Sequence, residues 1–324
     1  MKLENKACYN GFWERQGFSP IAVNFIVLVG LFFLYQIVGG LITFLGTGGA
    51  MTESTVNQHR LFQTIFQVLF LAVPAVWCVG LHTGKFSPMS AENRAFLALN
   101  QSVSGEVVLW GVVGAMVLNP CLSYLGDVQF VLLSEGLGLK AEVRQWKALF
   151  DDVIEKLATA RSVNELVLVV GVMAVTPAVC EEVVFRGLIQ RNFSRVLSPA
   201  RTVIWTGVIF GLYHLNPIQT LPLVAIGIYI SYLRQTSGAL WLSMAAHCVF
   251  NFFSVLGMFI LNHAKEFGIS DDVVRVFKNS EPDITSPIAI GSAVGSLMLF
   301  WLVLRQYCSA VSCYKSKSAL DKHC

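Results

Sequence analysis

Eight apolar stretches, most of them close to the length a helix needs to cross a bilayer, leave this chain few ways to fold. They run approximately over residues 21–46, 61–81, 105–125, 164–191, 200–215, 220–235, 239–262 and 285–306. A helical span takes about 20 mostly apolar residues, and within hydrocarbon a helix satisfies its own backbone N–H and C=O groups. The predicted class is therefore all-α: a polytopic membrane helix bundle of about eight transmembrane helices. Composition agrees, with 55% of the residues apolar and only 13% charged, where soluble domains carry about 25% charged residues. The fifth and sixth stretches are short and are joined only by Asn216-Pro217-Ile218-Gln219. Asn-Pro stops helices, so this pair is predicted to form a tight helical hairpin. The net charge of +3 comes without a basic cluster interleaved with aromatics, which argues against nucleic acid as a partner.

Lysine and arginine counts orient the bundle. With the N-terminus inside, thirteen fall on the cytoplasmic side and nine outside, five of the nine in one long loop that weighs little in the positive-inside rule. Both termini are thus expected in the cytoplasm, in the plasma membrane if the chain is bacterial. Residues 1–20 carry charge and no apolar core of their own, so the first span is read as a signal-anchor rather than a cleaved leader. In the long loop, Trp146, Leu149, Phe150, Val153, Ile154 and Leu157 recur at helical spacing between charged residues, the pattern of an amphipathic interfacial helix. The eight cysteines, Cys8, Cys78, Cys121, Cys180, Cys248, Cys308, Cys313 and Cys324, show no metal-type CxxC spacing and are read as reduced, packed thiols. Nothing divides residues 1–324 into two domains.

Against this apolar background, Glu181, Glu182 and Arg186 stand in one span. Each charge at mid-bilayer costs roughly 2.5–3.5 kcal/mol on insertion scales, so intramembrane ionisable residues mark functional sites with partners. The other ionisable groups inside spans are His214 and His247, with Asn251 four residues after the latter. At about 1.5 Å of rise per residue, Glu181 lies about 15 Å from the near end of its span, His214 about 21 Å, and His247 and Asn251 about 12 and 18 Å. Three helices of alternating direction thus bring polar groups to a shared level.

Spacing assigns roles. Glu182 and Arg186 are four apart and can pair on one helix face, which lowers the insertion cost. Glu181 is turned about 100° away and is left free for chemistry. His247 and Asn251 can aim two polar groups at one point. A free carboxylate, two imidazoles and an amide suit hydrolysis of a peptide bond. The carboxylate takes a proton from water, a histidine holds that water, and histidine and asparagine stabilise the oxyanion. No serine or cysteine has an evident base partner, which disfavours a covalent nucleophile. Zinc competes on ligand type alone, through Glu181, His214 and His247, although a His-Glu-x-x-His helix is absent.

Glu-Glu-x-x-x-Arg at 181–186, Phe-x-x-x-His at 210–214 and His-x-x-x-Asn at 247–251 occur in this order on successive apolar segments. Together they resemble the CAAX-protease and bacteriocin-processing family of intramembrane endopeptidases, which includes the Ras-converting CAAX prenyl protease type 2. The resemblance covers about residues 164–262, the expected catalytic core. It implies that Glu181 activates water, His214 helps to hold it, His247 and Asn251 form the oxyanion site, and Glu182, Arg186 and Phe210 support them. It further implies a site open to the cytoplasm and a membrane-anchored or lipidated protein or peptide as substrate, prenylated in eukaryotic members. Two readings of other classes use the same residues. One is a non-catalytic membrane partner or bacteriocin-immunity protein that keeps the pocket; the other is a proton-coupled transporter with a Glu/His relay. No inverted repeat supports transport.

Overall fold

The computed structural model describes residues 9–49, 51–271, 274 and 282–320. Lys2, Lys6, Arg275, Lys278 and Lys322, which enter the charge count above, and Cys8 and Cys324 lie outside the described residues. The chain is an integral membrane protein, and the described residues form an all-α bundle of eleven helices. These are α1 (Phe12–Arg15), α2 (Pro20–Thr47), α3 (Val56–Thr83), α4 (Ala91–Leu97), α5 (Gly105–Gly136), α6 (Lys140–Ala158), α7 (Val163–Ser194), α8 (Pro199–Tyr213), α9 (Thr220–Ser237), α10 (Leu240–Asn262) and α11 (Pro287–Leu320). Six stretches, α2, α3, α5, α7, α10 and α11 up to Ser318, are long and apolar enough to cross a membrane. The predicted hairpin forms as α8 and α9, shorter and less apolar than the six.

Local chemistry explains the helix ends. Ser19 and Ser104 accept hydrogen bonds from Ala22 N–H and Val107 N–H at the starts of α2 and α5, and Pro20 and Pro199 stand at first-turn positions, where a missing N–H costs nothing. Helices α8 and α9 approach so closely because they meet at glycines. A Cβ on Gly207 would lie 2.5 Å from the Ile228 backbone nitrogen, and one on Gly211 would lie 2.7 Å from that of Val224. Small residues permit such backbone contact between membrane helices. The turn between α8 and α9 is held by Asn216 Oδ1, which accepts from the N–H groups of Ile218 and Gln219. Gln129 of α5 clamps the same turn, donating to Pro217 O and accepting from Leu221 N–H, both at 2.7 Å.

Helix α7 is the axis of the bundle. Every residue from Glu182 to Gln190 is buried, and Val184, Phe185, Leu188 and Ile189 belong to the main core together with side chains of α2, α3, α5, α8, α9, α10 and α11. The amphipathic helix forms as α6. Val143 packs into a small cluster with Phe130 and Ile218, while Trp146, Leu149, Val153 and Ile154 remain exposed, an apolar stripe suited to the headgroup boundary. Its end is tied to the bundle by Arg60 of α3, a buried guanidinium that donates to the carbonyls of Lys156, Leu157 and Thr159 and to Glu165 Oε1 at 2.7 Å. A cation there satisfies orphan carbonyls and opposes the helix dipole. Arg60→Ala is expected to cost about 1–3 kcal/mol, since the carbonyls of Lys156, Leu157 and Thr159 lose their common donor. The check is faster hydrogen exchange in α6 together with a lowered melting temperature in detergent.

Candidate active site

The site is built on the middle of α7, where the α-helical turn Thr176–Glu182 passes into a π-helical stretch, Val183–Ile189. Such stretches recur at functional sites because the wider turn re-aims side chains. Glu182 and Arg186 pair here as their spacing predicts, Nη1 to Oε1 at 2.7 Å, with both side chains fully buried. The guanidinium makes two further bonds: Nη2 donates to Gly227 O at 2.8 Å and Nε to Ser231 Oγ at 3.2 Å, both on α9. Arg186 also lies over the ring of Phe210 at 4.4 Å. A buried ion pair needs its leftover hydrogen-bonding capacity met; α9 meets part of it through Gly227 O and Ser231 Oγ, while Glu182 Oε2 is buried with no hydrogen-bond partner among the described residues.

His247 joins the same carboxylate. Its Nδ1 lies 2.9 Å from Glu182 Oε1, and because the carboxylate only accepts, Nδ1–H is the donor. Nε2 is then the nitrogen left to the site. Helix α10 packs on the Thr176–Glu182 turn, and the small Ser243 and Ala246 beside His247 are fully buried there. Asn251, one turn further along α10, is half-buried on the same helix face.

Glu181 turns away from this network and meets His214. His214 caps the C-terminal end of α8, immediately beyond the last helical residue rather than inside the helix. Its Nδ1–H donates to Phe210 O at 2.8 Å, so in the neutral ring Nε2 carries the lone pair. That nitrogen lies 3.9 Å from Glu181 Oε2, beyond direct hydrogen-bond range, and Oε2 is buried with no hydrogen-bond partner among the described residues. Two acceptors facing each other across such a gap are matched by a molecule that donates two O–H bonds, which is water.

Phe210 sits at the centre of these groups. Its ring meets His214 edge-on at 4.7 Å and His247 at 5.8 Å, besides carrying Arg186 on its face. Phe210→Ala opens a cavity that frees both imidazoles, and is expected to cost about 3–5 kcal/mol of stability and to depress any activity; Phe210→Leu should restore most of the stability but not the edge contacts. Melting curves and turnover of the two variants check this.

The structure therefore brings the sequence-predicted residues into two linked sets, Glu182–Arg186–His247 and Glu181–His214, with Phe210 between them and Asn251 beside His247. Sequence reasoning missed Ser231 and the Gly227 carbonyl. It also missed the attachment of His247 to Glu182, because spacing within one helix says nothing about contacts between helices. The zinc alternative finds no three-ligand site among the described residues, where no three His, Cys, Asp or Glu side chains converge to hold a metal. The donor set falls short of the three protein ligands of a catalytic zinc. Cys78, Cys121, Cys180, Cys248, Cys308 and Cys313 are free thiols.

Residues 163–253 match the family described as type II CAAX prenyl endopeptidase Rce1-like. That segment contains all three motifs and runs from the start of α7 into α10, so the resemblance read from the motifs is borne out there. No curated protein and no solved structure matches the chain.

Proposed function

We propose, from the Rce1-like character of residues 163–253, that this protein is an intramembrane endopeptidase that hydrolyses a peptide bond of a membrane-anchored, CAAX-type prenylated protein or peptide. The observation that carries the reading is the pair of acceptors, Glu181 Oε2 and His214 Nε2, 3.9 Å apart on half-buried side chains of an apolar bundle. A water donating to both is oriented and ready to lose a proton to Glu181. Its oxygen attacks the peptide carbonyl carbon, and the π electrons move to oxygen. That oxyanion forms beside His247, which Glu182 orients through Nδ1–H, and the Asn251 amide N–H donates to it. Glu181 then passes its proton to the leaving nitrogen as the C–N bond breaks, giving a carboxylic acid and an amine. Glu182, Arg186 and Phe210 hold these groups in register.

The whole chain is read as one membrane domain with its catalytic core at 164–262 and both termini in the cytoplasm. The test is incubation of the purified protein, in detergent, with a farnesylated peptide ending in a CAAX tetrapeptide, followed by mass spectrometry. Loss of the last three residues is expected, persisting after exhaustive dialysis against a chelator, and His214→Ala should be inactive while melting normally. An intact peptide with wild-type protein, or full activity in His214→Ala, sinks the reading in favour of a partner or immunity protein.

A further inference from the structure

Gln190 is only 2% exposed and continues the row that Glu182 and Arg186 begin on α7, at the same spacing of four. In a regular α-helix the step from Glu182 to Gln190 turns the side chain about 80° from its starting direction. The π-helical stretch Val183–Ile189 lies between them, and its wider turn adds less rotation per residue, so Gln190 still faces α9.

Gln190 Nε2 donates to Ser231 O at 2.9 Å and to Gln235 Oε1 at 3.4 Å. One turn earlier, Arg186 reaches Gly227 O and Ser231 Oγ. Arg186 and Gln190 of α7 thus meet Gly227, Ser231 and Gln235 of α9 in rising order, each step of four on one helix matched by a step of four on the other. Gly227 brings α9 close to α8, since a Cβ there would stand 2.9 Å from Gly207 O and from Phe210 Cδ1.

Ser231 is the joint of this contact and is fully buried. Its carbonyl accepts from Gln190, while its hydroxyl accepts from Arg186 Nε and donates to Gly227 O at 2.7 Å. Arg186 in turn meets Glu182 Oε1, the oxygen that holds His247 Nδ1–H. Stability alone does not account for Gln190. Its Oε1 is buried with no hydrogen-bond partner among the described residues, a cost that an apolar side chain of similar volume avoids. Buried polar contacts of this kind can fix one register of two helices at a cost in stability.

We infer that Gln190 and Ser231 are positioning residues for the candidate active site. They fix the axial register of α9 on α7 and so aim Arg186, Glu182 and, through Glu182, His247. The inference rests on the proposed hydrolysis for its effect on turnover, though not for its effect on His247. A slip of one residue moves α9 about 1.5 Å along its axis and about 100° around it, which breaks every bond of the contact at once.

Two variants test this in detergent-solubilised protein. Ser231→Ala removes only the hydroxyl, and Gln190→Leu keeps the volume and removes the amide. The imidazole nitrogen signals of His247 in NMR, assigned as those lost in His247→Gln, report on the site. Both variants are expected to move these signals. Both should also lower kcat on the farnesylated CAAX peptide by about tenfold, the worth of one hydrogen bond to a charged group, with KM within about twofold. Because Gln190 acts through Ser231, the double variant should lose less than the product of the two single losses. Unchanged His247 signals in both variants, or unchanged kcat in both, overturn the inference, as does a double loss equal to the product. Shifted signals in a wild-type background that cleaves no peptide uphold the positioning and overturn the hydrolytic reading instead.

Discussion

Glu181→Gln is expected to lower kcat/KM by about 10²–10⁴-fold, the contribution of a positioned general base, with the melting temperature unchanged. The substitution keeps the size of the side chain and removes only its ability to take a proton. Stability should not suffer, because Glu181 Oε2 has no hydrogen-bond partner to lose and the carboxylate is 3.9 Å from its nearest basic neighbour. The measurement is cleavage of the farnesylated peptide alongside thermal unfolding in detergent. Retained activity in Glu181→Gln would falsify the assignment of this residue as the base.

Glu182→Ala is expected to behave in the opposite way, costing about 3–5 kcal/mol of stability, as removal of one partner of a buried pair does. Oε1 of Glu182 accepts from both Arg186 and His247. Its loss leaves a fully buried guanidinium without a countercharge and an imidazole without its orienting partner. Arg186→Ala should cost a similar amount. Replacing both residues by apolar ones of similar volume should cost less than the two single losses combined, because no isolated charge remains. Melting of the four proteins of this double-mutant cycle decides the matter. If Glu182→Ala melts normally yet is inactive, the roles of the two glutamates are reversed.

Much of this was legible in the sequence. The apolar stretches announced a helical membrane bundle, Asn216-Pro217 announced the hairpin, and the four-residue spacing of Glu182 and Arg186 announced their pairing. These features are set by rise per residue, helix periodicity and the energetics of backbone groups in hydrocarbon, all of which act locally. The expectation of about eight spans was less secure: six stretches have the length and hydropathy to cross a membrane, and α8 and α9 are shorter. Their stability comes from packing on each other at Gly207, Gly211 and Gly227.

Sequence alone determined that this chain is an all-α membrane bundle, and it singled out Glu181, Glu182, Arg186, His214, His247 and Asn251 as polar residues needing an explanation. Only the tertiary structure decided how they divide. It gave His247 to Glu182, set His214 at the end of α8 with its Nε2 toward Glu181, and placed the ring of Phe210 between the two histidines. It also satisfied Arg186 from Ser231 and the Gly227 carbonyl of α9. The reason is physical: periodicity specifies which residues share a face of one helix, whereas the partner across a helix contact depends on the crossing and axial offset of two helices. Those are set by glycine contacts and core packing distributed over the whole bundle.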